Sequence, residues 1–153
     1  MRIGCVVLIL ATSLLFADTR PPDACKLLTA EDLVKVVGSG FKLIDSKGTA
    51  SDNSYCAYTK GGSNIVNLMI VGSPEQNAAE TLAKMQENYK KNGLTVIPVS
   101  NAGEGAFYSE SAKSMSLHFG KGLWQGVLDV TLKGKPDSEA EQKLAAIAYS
   151  RFP

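Results

Sequence analysis

The sequence predicts an α+β domain: a largely antiparallel sheet of about five to six strands, flanked by three helices and carrying one disulfide. Two observations lead to this prediction. Amphipathic segments with helix-capping signals alternate along the chain with hairpins closed by glycine turns. Two cysteines, Cys25 and Cys56, remain once an N-terminal leader is removed. Because hairpins pair antiparallel and amphipathic helices need an apolar surface, we expect the helices to cover one or both sheet faces.

The N-terminal residues have the features of a secretory signal peptide. Met1-Arg2 is followed by an apolar run over 3–16, and Ala17 is a small residue at which a signal peptidase can cut. The run is shorter than the roughly 20 residues that a transmembrane helix needs. We therefore expect a signal peptide at 1–17 and a single domain at 18–153, exported to the periplasm or secreted, with no stable membrane anchor. An uncleaved anchor is the alternative.

Cys25 and Cys56 are predicted to form a disulfide, because an even pair of cysteines in an oxidising compartment is normally oxidised. A metal site would need more ligands than these two cysteines and the single histidine supply. A catalytic cysteine paired with His118 would have to stay reduced outside the cytoplasm. We expect no metal and no cofactor.

The first and third predicted helices carry clear start signals. Thr29 and Asp32 form a capping-box pattern ahead of a helix over 30–37, and Gly38 supplies its stop. The third helix starts at the Pro136-Asp137-Ser138 segment and runs to about residue 150.

The second predicted helix has the longest apolar stripe. Ser73 is its expected N-cap, Pro74 its first residue, and Gln76 completes the capping box. Gly93 ends it. The stripe consists of Ala78, Leu82, Met85 and Tyr89. Their spacing predicts one buried face.

Between the helices, apolar and polar residues alternate as they do in strands. The predicted strands are 55–59, 64–71, 94–99, 105–109, 114–120 and 123–133. A two-residue Gly61-Gly62 turn joins the first two, and the resulting register places Cys56 opposite Asn67.

The second hairpin separates polar from apolar side chains. It turns at Lys121-Gly122, a register that places His118 opposite Gln125. One face collects the apolar residues Met115, Leu117, Phe119, Trp124, Gly126, Leu128, Val130 and Leu132. The other collects Ser114, Ser116, His118, Gln125, Asp129 and Thr131. We expect the second face to be solvent-facing.

Four residues are candidate binding residues: His118, Gln125, Tyr108 and Glu104. His118 is the only histidine, and its strand position favours a solvent-facing side chain over a catalytic one. Phe107 and Tyr108 are adjacent in a strand, so they point to opposite faces, which leaves one of them free for recognition. Glu104, between two glycines, is either a carboxylate offered to a ligand or a solvated turn residue.

Several short segments resemble a family of small exported bacterial domains of unknown function with a PsbP-like fold. These segments are Cys25-Lys26-Leu27-Leu28-Thr29, Val37-Gly38, Cys56-Ala57-Tyr58 and Gly103-Glu104-Gly105-Ala106-Phe107-Tyr108. The resemblance implies an antiparallel sheet flanked by helices and a non-catalytic binding or accessory role. Many members are lipoproteins, and this chain lacks the lipid-attachment cysteine.

Charge and motifs exclude several function classes. Loss of Arg2 with the signal leaves equal numbers of basic and acidic residues, without a basic cluster, which disfavours a nucleic-acid partner. The sequence has no Gly-x-Ser-x-Gly elbow and no phosphate-binding glycine loop. We therefore expect an exported, non-catalytic module that recognises a small ligand or protein partner through a sheet face and adjacent loops. The alternatives are a protein inhibitor or interaction domain and, less favoured, a metal-independent hydrolase that uses His118.

Overall fold

The fold is known from a computed structural model that describes residues 20–48, 52–72, 76–103, 105–111 and 114–153. The predicted signal peptide, Ser73, Pro74 and Glu104 lie outside these residues. The helices are α1 (Ala24–Leu27), α2 (Ala30–Val37), α3 (Ala78–Lys91) and α4 (Ser138–Ser150). The strands are β1 (Lys42–Lys47), β2 (Asn53–Thr59), β3 (Ile65–Gly72), β4 (Thr95–Pro98), β5 (Phe107–Glu110), β6 (Met115–Lys121), β7 (Trp124–Leu132) and β8 (Lys135–Pro136).

The strands form one antiparallel sheet in the order β1-β2-β3-β7-β6-β5-β4, and β8 pairs with the end of β7. The predicted α+β class, the antiparallel sheet and the disulfide are confirmed, but the counts are wrong. Eight strands and four helices are present in the described residues, against about five to six strands and three helices expected. The strand β1 escaped prediction because all six of its residues are exposed, so its sequence carries no burial pattern.

One side of the sheet, the core face, is covered by α1 and α4, with α2 packed against α4, and holds most of the hydrophobic core. Its largest fully buried side chains are Leu28, Leu33, Leu68, Ile70, Leu117, Phe119, Leu128 and Leu144. All residues of the predicted apolar face of the β6–β7 hairpin belong to this core or pack against it, except Gly126, which makes room for the Phe119 ring. A Cβ atom at Gly126 would lie 2.4 Å from that ring.

The β2–β3 hairpin pairs in a register one residue away from the predicted one. Cys56 is opposite Leu68 rather than Asn67, because the connection is longer than a two-residue turn: Lys60 N donates to Asn64 O at 3.1 Å. A one-residue shift exchanges the faces of a strand. The observed register places Cys56, Tyr58 and Leu68 together on the core face.

The β6–β7 hairpin differs from the prediction by two residues. His118 is opposite Val127, and Gln125 is opposite Gly120. Because side chains alternate with a period of two, this shift changes the partners and leaves every side chain on its predicted face. Ser116 therefore lies beside Asp129, and its Oγ donates to Asp129 Oδ1 at 2.5 Å.

Two links fasten the N-terminal helices to the rest of the chain. The Cys25–Cys56 disulfide joins α1 to β2, with Cα atoms 5.2 Å apart. The Arg151 guanidinium, after α4, donates to both oxygens of Asp32 in α2 and to Leu27 O. Asp32 is only 2% exposed, and the Arg151 hydrogen bonds hold the pKa of its carboxyl well below the usual range.

Glu141 of α4 is a second buried carboxyl on the core face. Its Oε1 accepts from Val130 N at 2.8 Å, while Oε2 has no partner among the described residues. Burial raises the pKa of Glu141 to about 8, so at neutral pH the group is mainly protonated.

The other side of the sheet, the α3 face, is covered by α3 over β4, β5, β6 and β7. The helix begins at Ala78 with Asn77 as N-cap, whose side chain accepts from Ala79 N, so Gln76 lies before the helix rather than in its first turn. The predicted stripe does face the sheet: Ala78 and Leu82 are buried, and Tyr89 contacts the Phe107 and His118 rings. None of the described helices combines the length and apolar character needed to cross a bilayer.

Candidate functional site

Where α3 ends its coverage of the sheet, a cleft of about 490 Å³ opens between the helix and β3, β6 and β7. We call it the α3 cleft. Its apolar lining consists of Met69, Val71, Met85, Tyr89, Leu94 and Val127, and its polar lining of Ser109, Ser116, His118 and Gln125. Its volume falls in the roughly 300–1,000 Å³ range of small-molecule sites, and apolar walls with a few polar groups are typical of them.

His118 lies in the wall of this cleft and is only 4% exposed, so the expected solvent-facing position is wrong. The residue does occupy the polar side of its strand, but α3 covers that part of the sheet. Its ring stacks on Phe107, with centroids 4.7 Å apart, and meets Tyr89 edge-on at 5.4 Å. Nε2 shares a 2.9 Å hydrogen bond with Ser109 Oγ.

The second ring nitrogen of His118 is an unused polar atom. Nδ1 is buried without a hydrogen-bond partner among the described residues. Burial lowers the pKa of His118 to about 4, so the ring is neutral at physiological pH. A buried polar atom without a partner costs roughly 1–3 kcal/mol, and because Nδ1 is closed to solvent this cost is part of the folded state.

A polar row crosses the sheet beside the cleft. Ser109 is opposite Ser116, Ser116 bonds to Asp129, and Asp129 is opposite Asn67. Tyr55 OH donates to Asn67 Oδ1 at 3.3 Å. Burial raises the pKa of Asp129 and outweighs the Ser116 hydrogen bond, which lowers it. No cation pairs with this carboxylate in the described part of the chain.

The structure brings together only two of the four predicted binding residues. His118 and Gln125 both line the α3 cleft. Tyr108 is buried on the core face, where its OH donates to Ser138 O at 2.7 Å, and burial raises its pKa to about 12. Since Phe107 is also buried, neither aromatic residue of this pair is exposed. Glu104 lies outside the described residues.

Sequence reasoning missed the helical wall of the cleft and Ser109. Met85 and Tyr89 were expected as core packing of α3, and nothing in a helical stripe distinguishes a core position from a cleft wall. Ser109 meets His118 only through the β5–β6 register, in which Phe107 is opposite His118 and Ser109 follows two residues later. No local motif specifies that register.

A larger cavity of about 660 Å³ lies elsewhere, between the segment before α1 and the β6–β7 turn. Its polar lining consists of surface Arg20, Asp23, Lys26 and Lys121 side chains, and Lys121 Nζ is already bonded to Phe152 O at 2.8 Å. Within the described ranges, no group of three or more His, Cys, Asp or Glu residues is arranged to hold a metal ion. The α3 cleft is therefore the stronger candidate site.

Comparison with known proteins adds little to this geometry. No family model matches the chain, and no curated protein matches it. A crystal structure of a GTP binding regulator from Thermotoga maritima is similar with a TM-score of 0.40 and 13% sequence identity, over 86% of this chain and 93% of that one. A likeness at this level carries no argument about function.

Proposed function

We propose that this protein is an exported, non-catalytic binding module that holds a small, largely apolar ligand in the α3 cleft. The observation that carries the proposal is one cavity of ligand size whose apolar walls also carry a few polar side chains, Ser109, Ser116, His118 and Gln125. The partly exposed Gln125 side chain supplies a hydrogen bond to the ligand, and the apolar walls supply most of the binding free energy.

Export is supported by two independent features. The N-terminal residues have the pattern of a signal peptide. The Cys25–Cys56 disulfide is typical of proteins from oxidising compartments. The resemblance to small exported domains agrees with both features.

Native mass spectrometry of protein purified from the compartment to which cells export it tests the proposal. We expect extra mass that leaves on denaturation. A Val127→Phe substitution, which fills the cleft from β7, should abolish the extra mass, because Val127 lines the cavity. Ile65→Phe is the matched control, since Ile65 is exposed on the neighbouring strand. Extra mass that persists in Val127→Phe would contradict the assignment of the site.

A metal-independent hydrolase is the second candidate, because Ser109 Oγ and His118 Nε2 lie 2.9 Å apart, as in a nucleophile–base pair. Two observations weigh against it. A base with a pKa of about 4 is weak at neutral pH, and no carboxylate orients Nδ1 among the described residues. If the wild type hydrolysed p-nitrophenyl acetate and Ser109→Ala abolished this activity, the hydrolase would be favoured. Equal background rates in both proteins would favour binding alone.

A further inference from the structure

Resting on the proposed function, we propose that the ligand of the α3 cleft is an amphiphilic cation: an apolar body in the cleft with a primary amine that pairs with Asp129. Two cavities meet at Ser116. This residue lines the α3 cleft and also a neighbouring pocket of about 440 Å³, which Asp129 and Thr131 line as well.

The sheet register fixes the distance between the two binding elements. His118 is opposite Val127, and the Ser116–Asp129 pair follows two residues along the same strands, on the same face. Two residues of a strand span about 7 Å. A ligand whose body contacts Val127 therefore needs a spacer of only two or three bonds to bring an amine to Asp129.

Asp129 has the chemistry of a carboxylate built to receive a cation. It is half-buried, it accepts one hydrogen bond from Ser116, and the described residues offer it no ion pair. A half-buried carboxylate without a counter-charge is unfavourable, and a bound ammonium group would supply both the charge and new hydrogen bonds.

The surroundings favour a cation over an anion. On the same face, Tyr55 lies close enough to Asp45 and Asp129 for both carboxylates to raise its pKa, after the larger effect of burial. The basic residues facing this side from β1 are Lys42 and Lys47, opposite Thr59 and Tyr55, and neither pairs with Asp129. In the cleft itself His118 is neutral, so the part of the ligand held there is uncharged.

Isothermal titration calorimetry at pH 7 with three matched probes tests the inference: 2-phenylethylamine, 2-phenylethanol and 3-phenylpropanoate. We expect the amine to bind at least tenfold more tightly than the alcohol, because it gains about one charge-assisted hydrogen bond. We expect the carboxylate to bind weakest. Equal affinities of amine and alcohol in the wild type would overturn the inference, and this comparison needs no variant to fold.

The Asp129→Asn variant tests whether Asp129 is the residue that makes the amine bind more tightly than the alcohol. The amide keeps an oxygen for the Ser116 hydroxyl and loses the charge, so the amine should bind this variant no better than the alcohol does. Asp45→Asn, a carboxylate at the sheet edge outside both cavities, should keep the preference. If Asp129→Asn still bound the amine more tightly than the alcohol, Asp129 would not be the cation site.

The same titrations separate this inference from the proposed function. If the alcohol bound saturably, Val127→Phe abolished that binding, and the amine bound no more tightly than the alcohol, the cleft would remain the ligand site and the cationic ligand would be refuted. Absence of saturable binding for all three probes would contradict both.

Discussion

Burial changes the chemistry of His118. The ring lies under α3, stacked on Phe107, in surroundings that lower its pKa to about 4. In the unfolded chain a histidine protonates near pH 6.5. The folded protein therefore protonates His118 only at lower pH than the unfolded chain does. The contribution of His118 to the free energy of unfolding is complete above pH 6.5, and it declines by about 1.4 kcal/mol per pH unit as the pH falls toward 4.

Proton NMR of the imidazole measures this directly, because the chain contains one histidine and its ring signals need no assignment by mutation. We expect a titration midpoint near pH 4 in the folded protein. A midpoint near 6.5 would mean that the ring is solvated, and would contradict its burial under α3.

Glu141 shows the opposite dependence on pH. Its folded pKa, about 8, lies above its usual value of 4.5, so its carboxyl is most favourable to folding below pH 4.5 and loses that contribution as pH rises through 8. Glu141→Gln keeps an acceptor for Val130 N and cannot ionise. We expect this variant to be more stable than the wild type at pH 7, by up to about 3 kcal/mol, with a difference that shrinks toward pH 4.5.

Urea unfolding at several pH values measures that difference, and Glu139→Gln, an exposed residue of the same helix, is the control. A constant difference between Glu141→Gln and the wild type from pH 4.5 to 8 would refute the buried, protonated carboxyl.

At the scale of elements, one ion pair ties α2 to the end of α4, beside their direct packing. Arg151 is partly exposed, whereas Asp32 is almost fully buried, so removal of the guanidinium leaves a buried carboxylate without its counter-charge. We expect Arg151→Gln to lower the free energy of unfolding by about 3 kcal/mol. The exposed Lys143–Glu139 pair provides the control, since Lys143→Gln should cost less than about 1 kcal/mol. Equal losses in urea unfolding would contradict the special role of Asp32.

The faces of β6 and β7 could be predicted from the sequence, whereas the relative faces of β2 and β3 and the registers of both hairpins could not. Alternation with a period of two assigned Leu117, Phe119 and Leu128 to the core and Ser116 and Asp129 to the opposite face. Register depends on the conformation of each turn, which the Gly61-Gly62 and Lys121-Gly122 pairs did not specify, so His118 was paired with the wrong neighbour. The exposed edge strand β1 has no alternation at all, and for that reason it was missed.

At the scale of the whole molecule, the site depends on how far α3 extends over the sheet. Its apolar stripe predicted burial of Met85 and Tyr89, but where a helix stops covering a sheet is a property of tertiary packing. The expectation that the polar face of β6 and β7 is open to solvent failed at His118, which α3 covers, whereas Ser116, Gln125 and Asp129 remain partly exposed. The cleft lies at that boundary.

The most direct test of the α3 cleft is NMR of protein labelled with ¹³C in the methionine methyl groups. Loss of Met1 with the signal would leave Met69 and Met85, which line the cleft, and Met115, which does not. On titration with 2-phenylethanol, we expect the Met69 and Met85 signals to shift with one common dissociation constant, and to shift more than the Met115 signal, because Met115 lines the neighbouring pocket of Asp129 and not the cleft. If no signal shifted at saturation, or if all three shifted alike, the α3 cleft would not be the ligand site.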